Sequence, residues 1–269
     1  FMFGVFLIWR LSRAWDLDEE RILDLILITF LGGLIGARLY FALENLNVFS
    51  PNFLRLILIS KYPGFSFWGG FLGGWLTLFF LARARKENFW LVADIVSVGL
   101  LGSLILTDLG CLLSGCDIGI RSNFLGIKMV GFLGNRFPSQ ALEALLLFWV
   151  LPKVWAEAIR FHPRGKILSL SLIYIGLVKF LTGFLKQSAF EGQFLSLVLF
   201  FLGVVILYKV TKRNFVYDLK SLPKKILTLD GLKKYWYNQI TSILWKIKNI
   251  KRILRRINVR LSYKNTKSY

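Results

Sequence analysis

Apolar stretches recur along the chain at roughly the 20-residue length that lets a helix cross a hydrocarbon core of about 30 Å. Short polar segments separate them, and the sequence begins at Phe1 within an apolar run, so we expect a truncated first span. The pattern predicts an all-α membrane bundle of about seven transmembrane spans. The predicted spans cover residues 1–10, 22–43, 65–82, 90–106, 140–156, 167–186 and 193–209.

The basic residues between these stretches predict the orientation of the bundle. Clusters of Lys and Arg follow the first, third, fifth and seventh predicted spans. Such clusters stay on the cytoplasmic side of a membrane. Because all four fall on one side, we expect the N-terminus outside and the C-terminus inside. The segments 44–64 and 107–139 are then expected on the outer side, within a transmembrane domain that covers residues 1–210.

Composition agrees with a membrane protein and excludes several other classes. The 269 residues are 55% hydrophobic and carry a formal charge of +20, a combination that is rare in a soluble domain. The two cysteines, Cys111 and Cys116, are too few for a disulfide framework, and helical geometry would point them apart. We expect them to pack as small apolar residues. His162 cannot complete a zinc site with them, so we expect no metal and no cofactor.

Residues 211–269 form a basic tail with a different pattern. From Lys212 onward the chain has sixteen Lys or Arg against two Asp, interleaved with aromatic and aliphatic residues in its second half. This pattern predicts an amphipathic helix that lies on anionic lipid of the inner leaflet. Nucleic-acid binding is the alternative for the same charge. We do not expect it, because the tail is tethered beside a membrane.

Ionisable residues within spans are costly and therefore mark candidate functional sites. Arg38 lies near the outer end of the second span, and Lys179 lies within the sixth. Glu143 begins the fifth span, and Asp108 follows the fourth. Arg38 could instead snorkel to the interface, and Glu143 could cap its helix with Ser139 as N-cap. Together these groups would suit an anionic phospholipid headgroup, with Arg binding the phosphate.

The third predicted span opens with a run of glycines that permits two interpretations. Small residues let helices approach closely in a membrane, so the run would serve packing. Alternatively, the exposed backbone would admit a lipid headgroup. The glycines are Gly64, Gly69, Gly70, Gly73 and Gly74.

Five segments in order resemble the prolipoprotein diacylglyceryl transferases of the bacterial inner membrane. The resemblance covers about residues 1–210 and excludes the tail. The segments are GARLY at 36–40, GFSFWGGFLGG at 64–74, LGCLLSGCDIG at 109–119, RFPSQALE at 136–143, and GLVK at 176–179 followed by Lys186.

The resemblance implies a multi-pass enzyme of the bacterial cytoplasmic membrane. The family moves the diacylglyceryl group of phosphatidylglycerol to the lipobox cysteine thiol of a prolipoprotein and releases glycerol phosphate. By resemblance, Arg38 and Lys179 hold the phosphate, and Glu143 or Asp108 is the candidate base. The implied substrate-binding residues are Gly69, Gly70, Gly110, Gly119, Ser139 and Gln140.

The sequence departs from the family motifs at several positions, and the departures keep a second interpretation open. The alternative is a catalytically degenerate relative that binds lipid or a partner protein. A small-solute transporter fits less well, because the ionisable groups lie near the outer leaflet rather than at mid-membrane. The substituted positions are Trp68 for His, Asp108 for Arg, Phe137 for His, Leu142 for Tyr, Lys179 for Arg and Gly183 for Glu.

Overall fold

The computed structural model describes residues 1–49, 53–59, 61–62, 64–115, 119–122, 125–128, 134–186 and 189–212. Residues Phe1–Lys212 form one compact unit. Apart from Thr211 and Lys212, the predicted tail lies outside the described residues, and so do parts of the predicted segments 44–64 and 107–139.

Within the described residues the chain is mostly helical, as the sequence predicts. Each of the seven predicted apolar stretches overlaps one helix, although residues 65–66 precede α4 and residues 184–186 follow α7. Four of these helices, α2, α5, α7 and α8, are long and apolar enough to cross a membrane by length and composition. The helices are α1 (Met2–Ala14), α2 (Glu19–Glu44), the short α3 (Leu46–Phe49), α4 (Phe67–Ala84), α5 (Phe89–Ser114), α6 (Ser139–Ala158), α7 (Lys166–Gly183) and α8 (Ala189–Thr211), with a 3-10 turn at Phe53–Leu56.

The segment 107–139, which is expected on the outer side, begins as helix. Helix α5 continues to Ser114, and Gly115 ends it in the left-handed conformation, with φ 71°. Two short antiparallel strands follow, β1 (Ile127–Lys128) and β2 (Asn135–Arg136). Single bridges join Gly119 to Lys186 and Arg121 to Arg136, so this region adds a small β element to the helical fold.

The cysteines do not behave as the sequence analysis expects. Cys111, in the last turn of α5, is disulfide-bonded, so the prediction that it packs as a small apolar residue is wrong. A helix through residue 116 would point the two cysteines apart, whereas α5 ends at Ser114. The other cysteine of the sequence, Cys116, lies outside the described residues.

Glycine backbones bring α2 and α4 into close contact. A Cβ atom added to Gly36 would lie 2.6 Å from the carbonyl oxygen of Gly69, and one on Gly73 would lie 2.8 Å from that of Gly32. Gly32 and Gly36 on α2, like Gly69 and Gly73 on α4, have the four-residue spacing of close-packed membrane helices. The packing interpretation of the glycine run therefore holds for Gly69 and Gly73.

The same device recurs at two other helix pairs. A Cβ atom on Gly4 of α1 would lie 2.6 Å from the carbonyl oxygen of Gly99 on α5. Between α7 and α8, a Cβ atom on Gly176 would lie 2.7 Å from the backbone nitrogen of Phe200, and one on Gly203 would lie 2.8 Å from that of Ile173. Backbone-to-backbone contact thus joins α1 to α5 and α7 to α8.

A buried carboxylate joins α5 to the start of α7. Asp94 accepts hydrogen bonds from the backbone nitrogen of Gly165 at 2.6 Å and of Leu168 at 2.7 Å. These N–H groups are unpaired by the helix itself and lie at its positive end, where a carboxylate is stabilising. The sequence analysis did not single out Asp94, although it is the one ionisable residue within the predicted span 90–106.

The α2–α4 contact gives a prediction for two neighbouring glycines. We expect Gly73→Ala to destabilise the protein by about 1–3 kcal/mol, because its Cβ must displace the α2 backbone. Gly74→Ala is the matched control, since its Cβ would lie 3.8 Å from the nearest atoms. The thermal midpoints of the detergent-solubilised variants measure the difference. Equal midpoints would show that the two helices separate without loss.

Candidate functional site

The carboxylate of Glu143, in the first turns of α6, is fully buried and binds two lysines. Its Oε1 lies 2.5 Å from Lys179 Nζ, and its Oε2 lies 2.9 Å from Lys186 Nζ. The hydroxyl of Thr182 lies 3.4 Å from Oε2 and donates to the carbonyl oxygen of Val178 at 2.9 Å. We name these four residues, Glu143, Lys179, Thr182 and Lys186, the Glu143 cluster.

The cluster forms because spacing along α7 places its members on one side. Lys179 and Thr182 are three residues apart and share a helix face, and Lys186 follows the helix end at Gly183. A buried carboxylate without a cation would be strongly destabilising, whereas this one has two. With one carboxylate and two ammonium groups, the cluster has a formal charge of +1, which favours an anionic ligand.

Gln140 lies one helical turn before Glu143 and adds a polar group with unused capacity. It is 1% exposed, and its Oε1 accepts a hydrogen bond from Ser139 Oγ at 3.4 Å. Its Nε2 is buried without a hydrogen-bond partner in the described part of the chain. A donor in this position calls for an acceptor. Gln140 can therefore donate to a ligand oxygen.

The alternative in which Ser139 is the N-cap of α6 is wrong. Pro138 is the N-cap of α6, no side chain caps the helix, and Ser139 is the first helical residue. Glu143 accordingly contacts the lysines of α7 rather than completing a capping box. Its contacts favour the functional interpretation over the capping one.

Arg38 is enclosed by protein instead of extending to solvent, and it is 6% exposed. Its Nε donates to the carbonyl oxygen of Leu56 at 2.9 Å, and its two terminal nitrogens donate to those of Gly64 and Arg55 at 3.0 and 3.1 Å. The guanidinium carbon also lies 5.2 Å from the centre of the Phe49 ring. Arg38 thus ties the loop between α2 and α4 to the end of α2.

An apolar cavity of ≈ 400 Å³ opens between α1, α2, α4 and α5. Gly70 and the rings of Phe65 and Phe67 are part of its wall. The guanidinium carbon of Arg38 lies 5.9 Å from the Phe65 ring centre, and Lys179 Nζ lies 4.3 Å from that of Phe67. Two cations therefore contact aromatic rings of the same cavity wall by cation–π interactions.

The remaining predicted site residues are distributed unevenly around these features. Gly119 bridges to Lys186 of the Glu143 cluster, and its carbonyl oxygen accepts from Arg136 at 3.2 Å. Asp108 is buried on α5, and Gly110 faces open space on the same helix. Gly69 lies in the α2–α4 contact. The structure brings Gln140, Glu143, Lys179 and Gly119 towards one cluster and does not place Asp108 or Gly110 there. The functional roles of all these residues stay predictions.

Sequence analysis missed Thr182 of the Glu143 cluster. It also missed Gln193 on α8, whose Nε2 is buried without a hydrogen-bond partner in the described ranges. Thr182 had a detectable signal, because it lies three residues after Lys179 on the same helix face. Gln193 lies in no motif segment, and only the contact of α8 with α7 brings it near the site.

The site and fold define a helical membrane protein with a positively charged polar cluster beside an apolar cavity, which suits an amphiphilic anionic ligand. Residues 1–209 match the family model described as prolipoprotein diacylglyceryl transferase. The chain belongs to this family.

Curated relatives agree with the assignment, and all three below are named phosphatidylglycerol–prolipoprotein diacylglyceryl transferase. The relative from Geobacter sulfurreducens is 30% identical over 80% of this chain and 88% of its own length. Those from Aeromonas hydrophila and Francisella tularensis subsp. novicida are 28% and 27% identical, over 79% and 80% of this chain and 85% and 89% of their own lengths.

The contacts of Arg38 predict the effect of its substitution. We expect Arg38→Lys to lower stability by about 2–3 kcal/mol, because a lysine cannot reach three carbonyl groups in fixed geometry. Hydrogen–deuterium exchange should become faster in the segment 53–59. Arg83→Lys, at an exposed arginine, is the matched control. Unchanged exchange in Arg38→Lys would show that Arg38 does not hold the loop.

Proposed function

We propose that this protein transfers the diacylglyceryl group of phosphatidylglycerol to the thiol of a prolipoprotein cysteine. Membership in the family and the names of the relatives support the reaction. The observation that carries it in this chain is the Glu143 cluster beside the apolar cavity. A phospholipid has a charged phosphate joined to two acyl chains. The site offers a cationic cluster for the phosphate and an apolar cavity for the acyl chains.

The cationic side of the cluster would bind the headgroup. Lys179 and Lys186 supply positive charge, and the amide of Gln140 supplies a donor for a phosphate oxygen. Charge-assisted hydrogen bonds of this kind are the stronger ones in proteins. The acyl chains would occupy the cavity that Gly70 and Phe67 line. Phe67 connects the two parts, because its ring contacts Lys179.

In the proposed reaction the cysteine sulfur forms a thioether bond to the glyceryl carbon that carries the phosphate. The carbon–oxygen bond breaks, and glycerol phosphate leaves with the electron pair. Fixed cations near the phosphate stabilise the charge that the leaving oxygen gains. Lys179 and Lys186 are the cations placed for this role in the cluster. Arg38 would support this role by holding the loop between α2 and α4 beside the cavity wall.

The thiol must lose its proton before it attacks, and Asp108 and Glu143 are the proposed candidates for the base. Each oxygen of Glu143 already contacts an ammonium group. We therefore favour Glu143 as the residue that positions the lysines, with Asp108 as the alternative proton acceptor. Glu143→Gln keeps the shape and removes the charge, so transfer at the full rate in this variant would exclude both roles for Glu143.

A reconstituted transfer assay tests the proposal. Wild-type protein in liposomes should move radiolabel from phosphatidylglycerol to a peptide that carries a lipobox cysteine. We expect Lys179→Met to lower the rate about 10²–10³-fold, as does the loss of one group that stabilises a developing charge. The matched control is Lys153→Met, which removes an exposed lysine of α6.

Two outcomes would contradict this mechanism in different ways. Equal rates for Lys179→Met and wild type would exclude the phosphate-binding role of Lys179. Lipid binding by the wild-type protein without any transfer would instead support the alternative of a degenerate relative.

We further propose that the chain crosses the cytoplasmic membrane of a bacterium seven times, with its basic tail on anionic inner-leaflet lipid. The basic clusters after alternate helices support an outside N-terminus and an inside C-terminus. A reporter that is active only in the periplasm should be inactive when fused after Tyr269 and active when fused after Ser122. The reverse pattern would invert the proposed orientation.

A further inference from the structure

The side chain of Gln193, near the start of α8, occupies space beside α7 that opens because residue 183 is glycine. A Cβ atom added to Gly183 would lie 3.0 Å from Cγ and 3.5 Å from Nε2 of Gln193. A larger residue at position 183 would therefore displace Gln193. The two positions are coupled, and the glutamine fills the place that a side chain on α7 would take.

Gly183 lies on the face of α7 that carries the Glu143 cluster. It follows Lys179 by four residues and directly follows Thr182. Residues four apart on a helix lie one above the other, separated by about 6 Å along the axis. The amide of Gln193 is thus placed within about one helical turn of Lys179, although it comes from another helix.

The Nε2 of Gln193 is buried and has no hydrogen-bond partner within the described ranges. A buried donor without an acceptor is destabilising, so its position calls for an acceptor that the described side chains around it do not supply. Further donors lie in the neighbouring cluster. Lys179 and Lys186 both contact the carboxylate of Glu143, and Gln140 carries a second buried amide nitrogen without a partner in the described residues.

Trp68 adds another donor at the same place. Its Nε1 lies 3.8 Å from the position that a Cβ atom on Gly192 would take, and Gly192 immediately precedes Gln193. Helix α4 thus approaches the start of α8 with an indole N–H, which is a donor only. The groups from α4, α6, α7 and α8 therefore place several hydrogen-bond donors in the same region of the described chain.

We infer that Gln193 is a further binding residue of this site and donates a hydrogen bond from Nε2 to a phosphate oxygen of the ligand. The inference rests on the proposed function, since it takes the ligand that Lys179 binds to be a phosphate ester. Gln193 makes its contact from α8 across Gly183. Its role is binding, and it takes no part in proton transfer.

Binding measurements on the full-length protein in nanodiscs test the inference. The probes are phosphatidylglycerol in a phosphatidylcholine bilayer and free glycerol phosphate in solution. We expect Gln193→Leu to weaken binding of both about tenfold, the loss of one hydrogen bond to a charged group. Gln193→Glu should weaken binding further, because a carboxylate repels the phosphate. Phe194→Leu, at an exposed neighbour on α8, should bind both probes as the wild type does.

Thermal stability separates a binding role from a structural one. Removing a buried donor that has no partner in the described chain should leave the midpoint of ligand-free Gln193→Leu unchanged or raised. A residue that only holds α8 against α7 would lower it. Gly183→Ala gives a second variant, because its Cβ displaces the amide without altering its chemistry. We expect it to weaken binding of both probes as well.

The outcomes separate this inference from the proposed function. Wild-type binding by Gln193→Leu, with weaker binding by Lys179→Met, would overturn the role of Gln193 and leave the phosphate site intact. Wild-type binding by both variants would overturn the phosphate site as well. A loss for phosphatidylglycerol alone, with glycerol phosphate unaffected, would overturn the contact to the phosphate.

Discussion

The double ion pair of Glu143 holds a buried polar cluster together between α6 and α7. A fully buried carboxylate is tolerated only with cations at contact distance, and here both come from α7 and the residues that follow it. The pair therefore fixes α7 against α6. It also reaches the short β region, because Lys186 bridges to Gly119. Within the four residues of the Glu143 cluster, one carboxylate contacts two lysines, so these residues together carry a formal charge of +1.

A second constraint comes from helix packing in an apolar environment, where burial of apolar surface contributes little. Glycines on α2 and α4 meet this constraint in two ways. At Gly36, Gly69 and Gly73 the helices pack backbone to backbone, and an added Cβ atom would lie within 2.9 Å of a backbone atom of the facing helix. Gly33, Gly70 and Gly74 approach less closely and line the cavity instead. Packing thus accounts for one side of the glycine run, and the interpretation that the run admits a lipid headgroup stays a prediction.

The sequence predicts the long helices well, because apolar length and flanking charge are local properties. It also identifies Glu143 and Lys179, since an ionisable residue in an apolar stretch is conspicuous. It does not predict their mutual contact, which depends on how α6 and α7 pack. Asp94 had the same local signal and was overlooked. Cys111 was wrongly expected to pack as a small apolar residue, because a helix through residue 116 would point the two cysteines apart, whereas α5 ends at Ser114.

The contact between Gly183 and Gln193 bears on how departures from a motif affect function. A sequence motif records the residues along one segment of the chain, whereas a bound ligand contacts all groups around it, including those from other helices. Where position 183 lacks a side chain, α8 places an amide in the vacated volume. The replacement of a glutamate at position 183 by the amide of Gln193 changes the chemistry of the site. An amide nitrogen donates a hydrogen bond, whereas a carboxylate only accepts, so the replacement favours an anionic ligand. An acidic residue introduced at position 183 would therefore meet both a steric conflict with Gln193 and a changed charge. The two positions have to be understood, and altered, as a pair.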